Sequence, residues 1–184
     1  MSRASQRVGA LVDPQPGMRL LDACAAPGGK ALQLADLAGG ADQLVCVEKH
    51  PKRAAALRRM LARCGAGAAQ VVTGDAATLA AELGSFDAVL LDAPCSGLGV
   101  INARADLRWR RTPRDVAALV DQQARMLDTL LGRLAPGGRL VYSVCTLNPD
   151  ENERRVAGLP VTGELVTWPD RGDGAGFYAA RIES

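Results

Sequence analysis

Two cysteines close apolar runs in this 184-residue chain, and their setting is one in which thiols do chemistry. Cys145 ends the run Leu140-Val141-Tyr142-Ser143-Val144, and Cys95 sits in Asp92-Ala93-Pro94-Cys95-Ser96. Both runs read as buried strands, so both thiols are expected at the same rim of one parallel sheet. An ionised thiol is a strong nucleophile near neutral pH and also leaves readily, which suits transient covalent catalysis. A lone cysteine at a strand end is more often a small buried hydrophobe, and on residue type alone that reading stays open.

A second set of residues points to a nucleoside. Asp22-Ala23-Cys24-Ala25-Ala26-Pro27-Gly28-Gly29-Lys30 follows a strand and opens a helix, where free N–H groups and close backbone approach favour a ligand. It is neither G-x-G-x-x-G nor a P-loop, because Cys24 stands where the first P-loop glycine belongs and Ala31 replaces the Ser/Thr after Lys30. Dinucleotide and triphosphate sites are therefore disfavoured. Glu48 ends the next strand, placed to accept both ribose hydroxyls, and Asp75 follows the third, placed to accept from an adenine amino group. Each acid alone is more often a helix cap. One per successive strand, they favour an adenosine-containing cofactor without a phosphate clamp, and S-adenosylmethionine fits.

The elements that must carry these residues alternate strand and helix. Strands are expected at 18–23, 44–47, 70–73, 86–92 and 139–143, with a weaker closing pair at 164–167 and 176–182. A helix runs from about Gly29 to Ala38. Another opens at Pro51, with Ala54, Leu57, Leu61 and Cys64 on one face. The longest is capped by Thr112, with Pro113 first and Asp115 in its first turn. Its apolar positions run from Val116 to Leu134, and Pro136-Gly137-Gly138 is expected to stop it. Such alternation implies a parallel α/β sheet with right-handed crossovers. Cys46 and Cys64 are core candidates, and the Cys24 thiol is packing within the loop.

The length suits a single domain, 1–184, and the mean hydropathy of +0.02 is that of a soluble globular protein. No apolar run reaches the roughly 18 residues of a membrane span, and Met1-Ser2-Arg3-Ala4 shows no secretory leader, so the cytoplasm is expected. Five cysteines without a C-x-x-C pair argue against a disulfide framework or a metal site. The net charge of +2 does not advertise nucleic acid, but 19 of 22 basic residues are Arg. Arginine suits bidentate phosphate contacts and base stacking, and an Arg-rich composition also follows from genomic base content. Arg104, Arg108, Trp109, Arg110 and Arg111 cluster just after the Cys95 loop and are candidates for RNA contact.

Three motifs stand in order: Leu21-Asp22-Ala23-Cys24-Ala25-Ala26-Pro27-Gly28-Gly29-Lys30, then Asp92-Ala93-Pro94-Cys95-Ser96-Gly97-Leu98-Gly99, then Tyr142-Ser143-Val144-Cys145-Thr146-Leu147-Asn148-Pro149-Asp150-Glu151-Asn152-Glu153. Taken together they resemble the RsmB/NSUN-type (Sun, Fmu) RNA cytosine-5 methyltransferases. The resemblance implies a Rossmann-like methyltransferase with a seven-stranded, mostly parallel sheet and helices on both faces. It implies S-adenosylmethionine contacts from Cys24 through Lys30, Glu48, Asp75 and Asp92. It casts Cys145 as the nucleophile, Cys95 as the residue that helps release product, and Asp92 as the group that holds the cytosine edge. It implies RNA as partner, with ribosomal RNA ahead of transfer RNA. Family members carry an RNA-binding segment before the first motif, and here little precedes Met18. A catalytically silent cofactor- and RNA-binding module is therefore the competing expectation; an oxidoreductase fails on the missing G-x-G-x-x-G.

Overall fold

The structure is a computed structural model that describes residues 3–79, 82–172 and 174–184; Met1 and Ser2 of the leader reading lie outside the described residues. Seven strands form one sheet: β1 Leu20–Asp22, β2 Leu44–Glu48, β3 Gln70–Thr73, β4 Phe86–Asp92, β5 Leu134–Val144, β6 Val161–Thr167 and β7 Phe177–Glu183. Their spatial order is β3-β2-β1-β4-β5-β7-β6. The first five are parallel, while β7 runs antiparallel between β5 and β6. The expected sheet is therefore present, with its order reversing between β1 and β4.

Helices cover both faces, as continuous apolar strands require. The helices α1 Arg3–Val12, α2 Gly29–Leu37 and α3 Pro51–Arg63 enclose one core, built on Leu20, Leu34, Leu44, Leu57, Leu61 and Leu90. On the other side α4 Ala76–Leu79, α6 Pro113–Leu131 and α7 Glu153–Val156 pack over Leu21, Val89, Leu91, Leu140 and Tyr142. The short α5, Leu107–Arg110, lies in the connection between β4 and α6. Each fully buried Leu or Val stabilises the fold by roughly 1.5–3 kcal/mol.

Local signals held where capping chemistry was explicit. Asp115 N–H donates to Thr112 Oγ1 at 3.3 Å and Thr112 N–H donates to Asp115 Oδ2 at 2.9 Å, a capping box with Pro113 in the first turn. The far end of α6 differs from expectation. The helix stops at Leu131, because Gly132 is followed by Arg133, whose carbonyl accepts from Phe86 N–H at 2.8 Å. Leu134 already pairs with Phe86, and Pro136-Gly137-Gly138 forms an irregularity within β5 rather than the helix stop.

One further reading is corrected. Cys64 is exposed, not core. Gly65 takes a positive φ just after it, so Ala66 N–H returns to Leu61 O at 2.9 Å and Ala66, not Cys64, covers the apolar stripe. The helix α1 was not foreseen. Ala4, Val8 and Val12 recur at helical spacing and are buried, a signal present in the sequence. Its C-terminal end is held from far away: Arg139 Nε donates to Val12 O at 2.7 Å, and Arg139 Nη2 also reaches Asp13 O.

Candidate active site

Parallel strands deliver their carboxyl ends to one edge, and the site forms where the strand order reverses. Asp22 ends β1, Glu48 ends β2, Asp75 follows β3, Asp92 ends β4 and Cys145 follows β5. Two cavities open there and share Cys24, Ala26 and Asp92. The first, about 260 Å³, has Glu48, Asp75 and Asp92 in its wall with Pro94 and Met126 as apolar surface. The second, about 330 Å³, is lined by Asp22, Ala25, Pro27, Gly29, Lys30 and Phe177.

The first cavity suits a nucleoside. Glu48 is buried; its Oε1 accepts from His50 N–H at 2.8 Å and its Oε2 lies 3.3 Å from Arg53 Nη2, which leaves lone pairs for ribose hydroxyls. Asp75 Oδ1 accepts from Ala77 N–H at 3.0 Å, and Oδ2 pairs with Lys49 Nζ at 2.8 Å. That Lys49 hydrogen bond, foremost, holds the Asp75 carboxyl below its usual range. The acids and the apolar wall suit an adenosine-bearing cofactor, with Cys24, Ala26, Glu48, Asp75 and Asp92 as the groups that would hold it.

The predicted loop divides between the cavities. Ala25, Pro27, Gly29 and Lys30 turn to the second cavity, and Gly28 lines neither. Gly28 has φ near 110°, and a Cβ there would fall 1.9 Å from Met60 Cε, so only glycine lets the loop lie against α3. Burial, first, and then the nearby acids push the Cys24 thiol up, which keeps it protonated as packing.

Asp92 is fixed at the seam. Lys30 Nζ donates to its Oδ2 at 2.8 Å, and Ser143 Oγ donates to its Oδ1 at 2.7 Å, because the β4–β5 register sets Ser143 beside it. Asp22, missed as more than a loop residue, is nearly inaccessible, and its Oδ2 has no hydrogen-bond partner among the described residues. Burial, with the Asp92 charge next, pushes its carboxyl up to about 7. An acid ending a fully apolar strand was the available signal.

The two predicted thiols meet. Cys95 Sγ and Cys145 Sγ lie 3.4 Å apart. The Cys95 hydrogen bond, foremost, lowers the Cys145 thiol, with the Lys30 charge acting the same way against burial and Asp92. The same bond, with burial, raises Cys95. One sulfur is thereby set up as thiolate and the other as its donor. Their loops are joined further on: Gly99 N–H donates to Cys145 O at 3.0 Å, and a Cβ on Gly99 would strike Gly176 O at 2.2 Å.

The basic segment beside this rim is unevenly used. Trp109 is 86% exposed. Arg104 and Arg110 both flank Asp106, at 3.5 and 3.4 Å. Arg111, though exposed, turns its guanidinium onto the Cys95 loop, its Nε donating to Ser96 O at 3.0 Å and its Nη2 to Cys95 O at 3.4 Å. Arg108 is exposed. Among the described residues no group of three or more His, Cys, Asp or Glu could hold a metal ion, and no helix is long and apolar enough to cross a membrane.

Comparison with known proteins agrees with this geometry. Residues 9–161 match the family described as 16S rRNA methyltransferase RsmB/F. Ribosomal RNA small subunit methyltransferase B of Klebsiella pneumoniae is 36% identical over 93% of this chain and 43% of its own length. The same-named protein of Erwinia tasmaniensis is 38% identical over 94% and 44%. The structure of NSun6 from Pyrococcus horikoshii, solved with SFG, superposes with a TM-score of 0.88 at 27% identity, over 100% of this chain and 52% of that one. The chain spans less than half the length of these curated relatives.

Proposed function

This chain belongs to the 16S rRNA methyltransferase RsmB/F family, and from that premise we propose that it methylates carbon 5 of a cytosine in RNA. S-adenosylmethionine is the methyl donor, and ribosomal RNA is favoured over transfer RNA as substrate. The observation that carries the reading is the thiol pair 3.4 Å apart beside a carboxylate shared by two cavities. Glu48 and Asp75 would hold the cofactor in their cavity, where it would supply an electrophilic methyl sulfonium. The cytosine, unpaired or flipped from its stack, enters the neighbouring Lys30–Phe177 cavity.

The chain's own residues then act in order. Asp92, held by Lys30 and Ser143, meets the ring nitrogen 3 and amino edge of the base. The Cys145 thiolate adds to carbon 6, which makes carbon 5 nucleophilic toward the methyl group. After transfer, the hydrogen on carbon 5 is removed with help from Cys95, directly or through water. Its electron pair re-forms the ring double bond, the carbon–sulfur bond breaks and the thiolate returns. Arg104, Arg108, Trp109 and Arg110 provide the adjoining surface for RNA phosphates and bases, while Arg111 braces the Cys95 loop through its carbonyls.

The names of the bacterial relatives support the ribosomal RNA preference. Five free cysteines suit the reducing cytoplasm, where this reading puts the reaction. Incubation with methyl-labelled S-adenosylmethionine and either RNA tests it. Label recovered as 5-methylcytosine is the expected result; cofactor binding without label in either RNA would overturn the activity.

A further inference from the structure

A buried carboxylate outside both cavities carries more hydrogen bonds than any other acid of the rim. Glu151 is 0% exposed. Ser96 N–H donates to its Oε1 at 2.8 Å, Ser96 Oγ donates to its Oε2 at 2.6 Å, and Gln123 Nε2 donates to Oε1 at 3.1 Å. Tyr142 OH donates to its main-chain carbonyl at 2.7 Å, which ties Glu151 to the carboxyl end of β5. Ser96 is the residue after Cys95, and its Oγ lies 2.9 Å from Oγ1 of Thr146, the residue after Cys145. Gln123 also donates to Pro94 O at 3.0 Å, on the other side of Cys95.

We propose that Glu151 is a positioning residue that clamps the Cys95 loop to the Cys145 loop and thereby sets the distance between the two sulfurs. The physical reason lies in how a loop is held. Strand pairing fixes Asp92 and Ser143, but Cys95 and Cys145 lie beyond the last ladder pair of β4 and β5. Past that point, main-chain bonds tie the Cys95 loop to β5 and its extension at Ala93, whose N–H donates to Ser143 O at 2.8 Å, and at Gly99, which leaves Cys95 itself between them without one. The remaining constraints are side chains: exposed Arg111 on the Ser96 and Cys95 carbonyls, and the Glu151 network, whose members are buried, so that each bond lost there leaves a desolvated group unpaired. A carboxylate suits the centre because it only accepts, and here it receives donors from the loop backbone, the loop side chain and α6. Glu151 and Ser96 line neither cavity, and Gln123 reaches the first only at the Pro94 carbonyl, so changes at Glu151 or Ser96 act on the thiols before the ligands.

This inference deepens the methyltransferase reading, but its test does not need RNA. Diamide takes the two thiol hydrogens onto its own nitrogens while one sulfur–sulfur bond forms. The rate of Cys95–Cys145 bridge formation, followed by peptide mass spectrometry, therefore reports how often the sulfurs meet. Glu151→Ala is expected to slow the bridge at least about tenfold, the direction an ångström-scale misplacement dictates. Glu151→Gln, which keeps the shape and one acceptor, is expected to recover most of the rate. S-adenosylmethionine affinity by calorimetry stays unchanged in both.

Should Glu151→Ala fail to fold, Ser96→Ala carries the test, since it removes the bonds to Glu151 Oε2 and Thr146 while sparing the backbone. Wild-type bridging rates in whichever of these variants folds would overturn the clamp. A slowed bridge in a protein that labels no RNA would sink the activity and leave the clamp standing.

Discussion

Cys95 Sγ and Cys145 Sγ stand 3.4 Å apart although each lies on a loop beyond the sheet, 50 residues from the other. At that distance the protonation of one sulfur depends on the other. The hydrogen bond from Cys95 favours the Cys145 thiolate, so the pair is asymmetric before any substrate arrives.

The first expected outcome is a split between the thiols. Cys145→Ala should abolish methylation without trapping RNA. Cys95→Ala should accumulate a covalent protein–RNA species, visible as a shifted band in denaturing gels. Finding the adduct in the Cys145 variant instead would reverse the assigned roles.

A second concerns ionisation. The lowered Cys145 thiol should react with iodoacetamide at lower pH than an ordinary cysteine, because the thiolate is the reactive form. In Cys95→Ala the hydrogen-bond donor is gone, and the Cys145 alkylation profile should move to higher pH. Peptide-resolved alkylation rates across pH would measure it, and an unmoved profile would contradict the coupling.

The acids of the first cavity yield a third. Glu48→Ala and Asp75→Ala should each weaken S-adenosylmethionine binding by roughly 1–3 kcal/mol, the scale of a lost hydrogen bond to a charged group. Calorimetry decides it, and unchanged affinity in both variants would remove the cofactor from this cavity.

Asp22 makes stability depend on pH. Its folded-state carboxyl is pushed up to about 7 against an ordinary 3.8, so between these values the folded chain holds a proton that the unfolded chain releases. The contribution is full below 3.8 and is lost as pH rises through about 7, on the order of 4 kcal/mol in all. Asp22→Asn should flatten the fall in urea-unfolding stability between about pH 4 and 7. Parallel profiles for variant and wild type would refute the buried proton.

Trp109 supplies the fifth. Its indole is exposed among arginines, a platform on which an unpaired base can stack. Trp109→Ala should weaken RNA binding by about 1–3 kcal/mol while leaving cofactor affinity unchanged. Titration of RNA into wild type should quench the indole fluorescence; equal RNA affinity in the variant would release Trp109 from the interface.

Much of this was legible along the chain because the signals are local. The Thr112–Pro113–Asp115 cap, the apolar strand runs and the acid or thiol closing each run depend only on neighbours a few residues apart. What escaped was set at long range. The end of α6 is decided by Phe86 pairing with Leu134, and the hold on α1 is completed by Arg139, which reaches Val12 across 127 positions. Cys64 looked like a core residue because the helical spacing of Ala54, Leu57 and Leu61 extends to it, and the turn at Gly65 ends the helix before that spacing applies.

The sequence by itself determined which residues stand at strand ends and hence the chemical inventory of the rim: two thiols, four carboxylates and a lysine. Only the tertiary structure decided their pairing. The β4–β5 register put Ser143 beside Asp92, Lys30 crossed from the first loop to share that carboxylate, and Glu151 drew the two cysteine loops together. Distances between groups on different strands depend on register and on buried hydrogen bonds, and neither is written in the spacing along one chain.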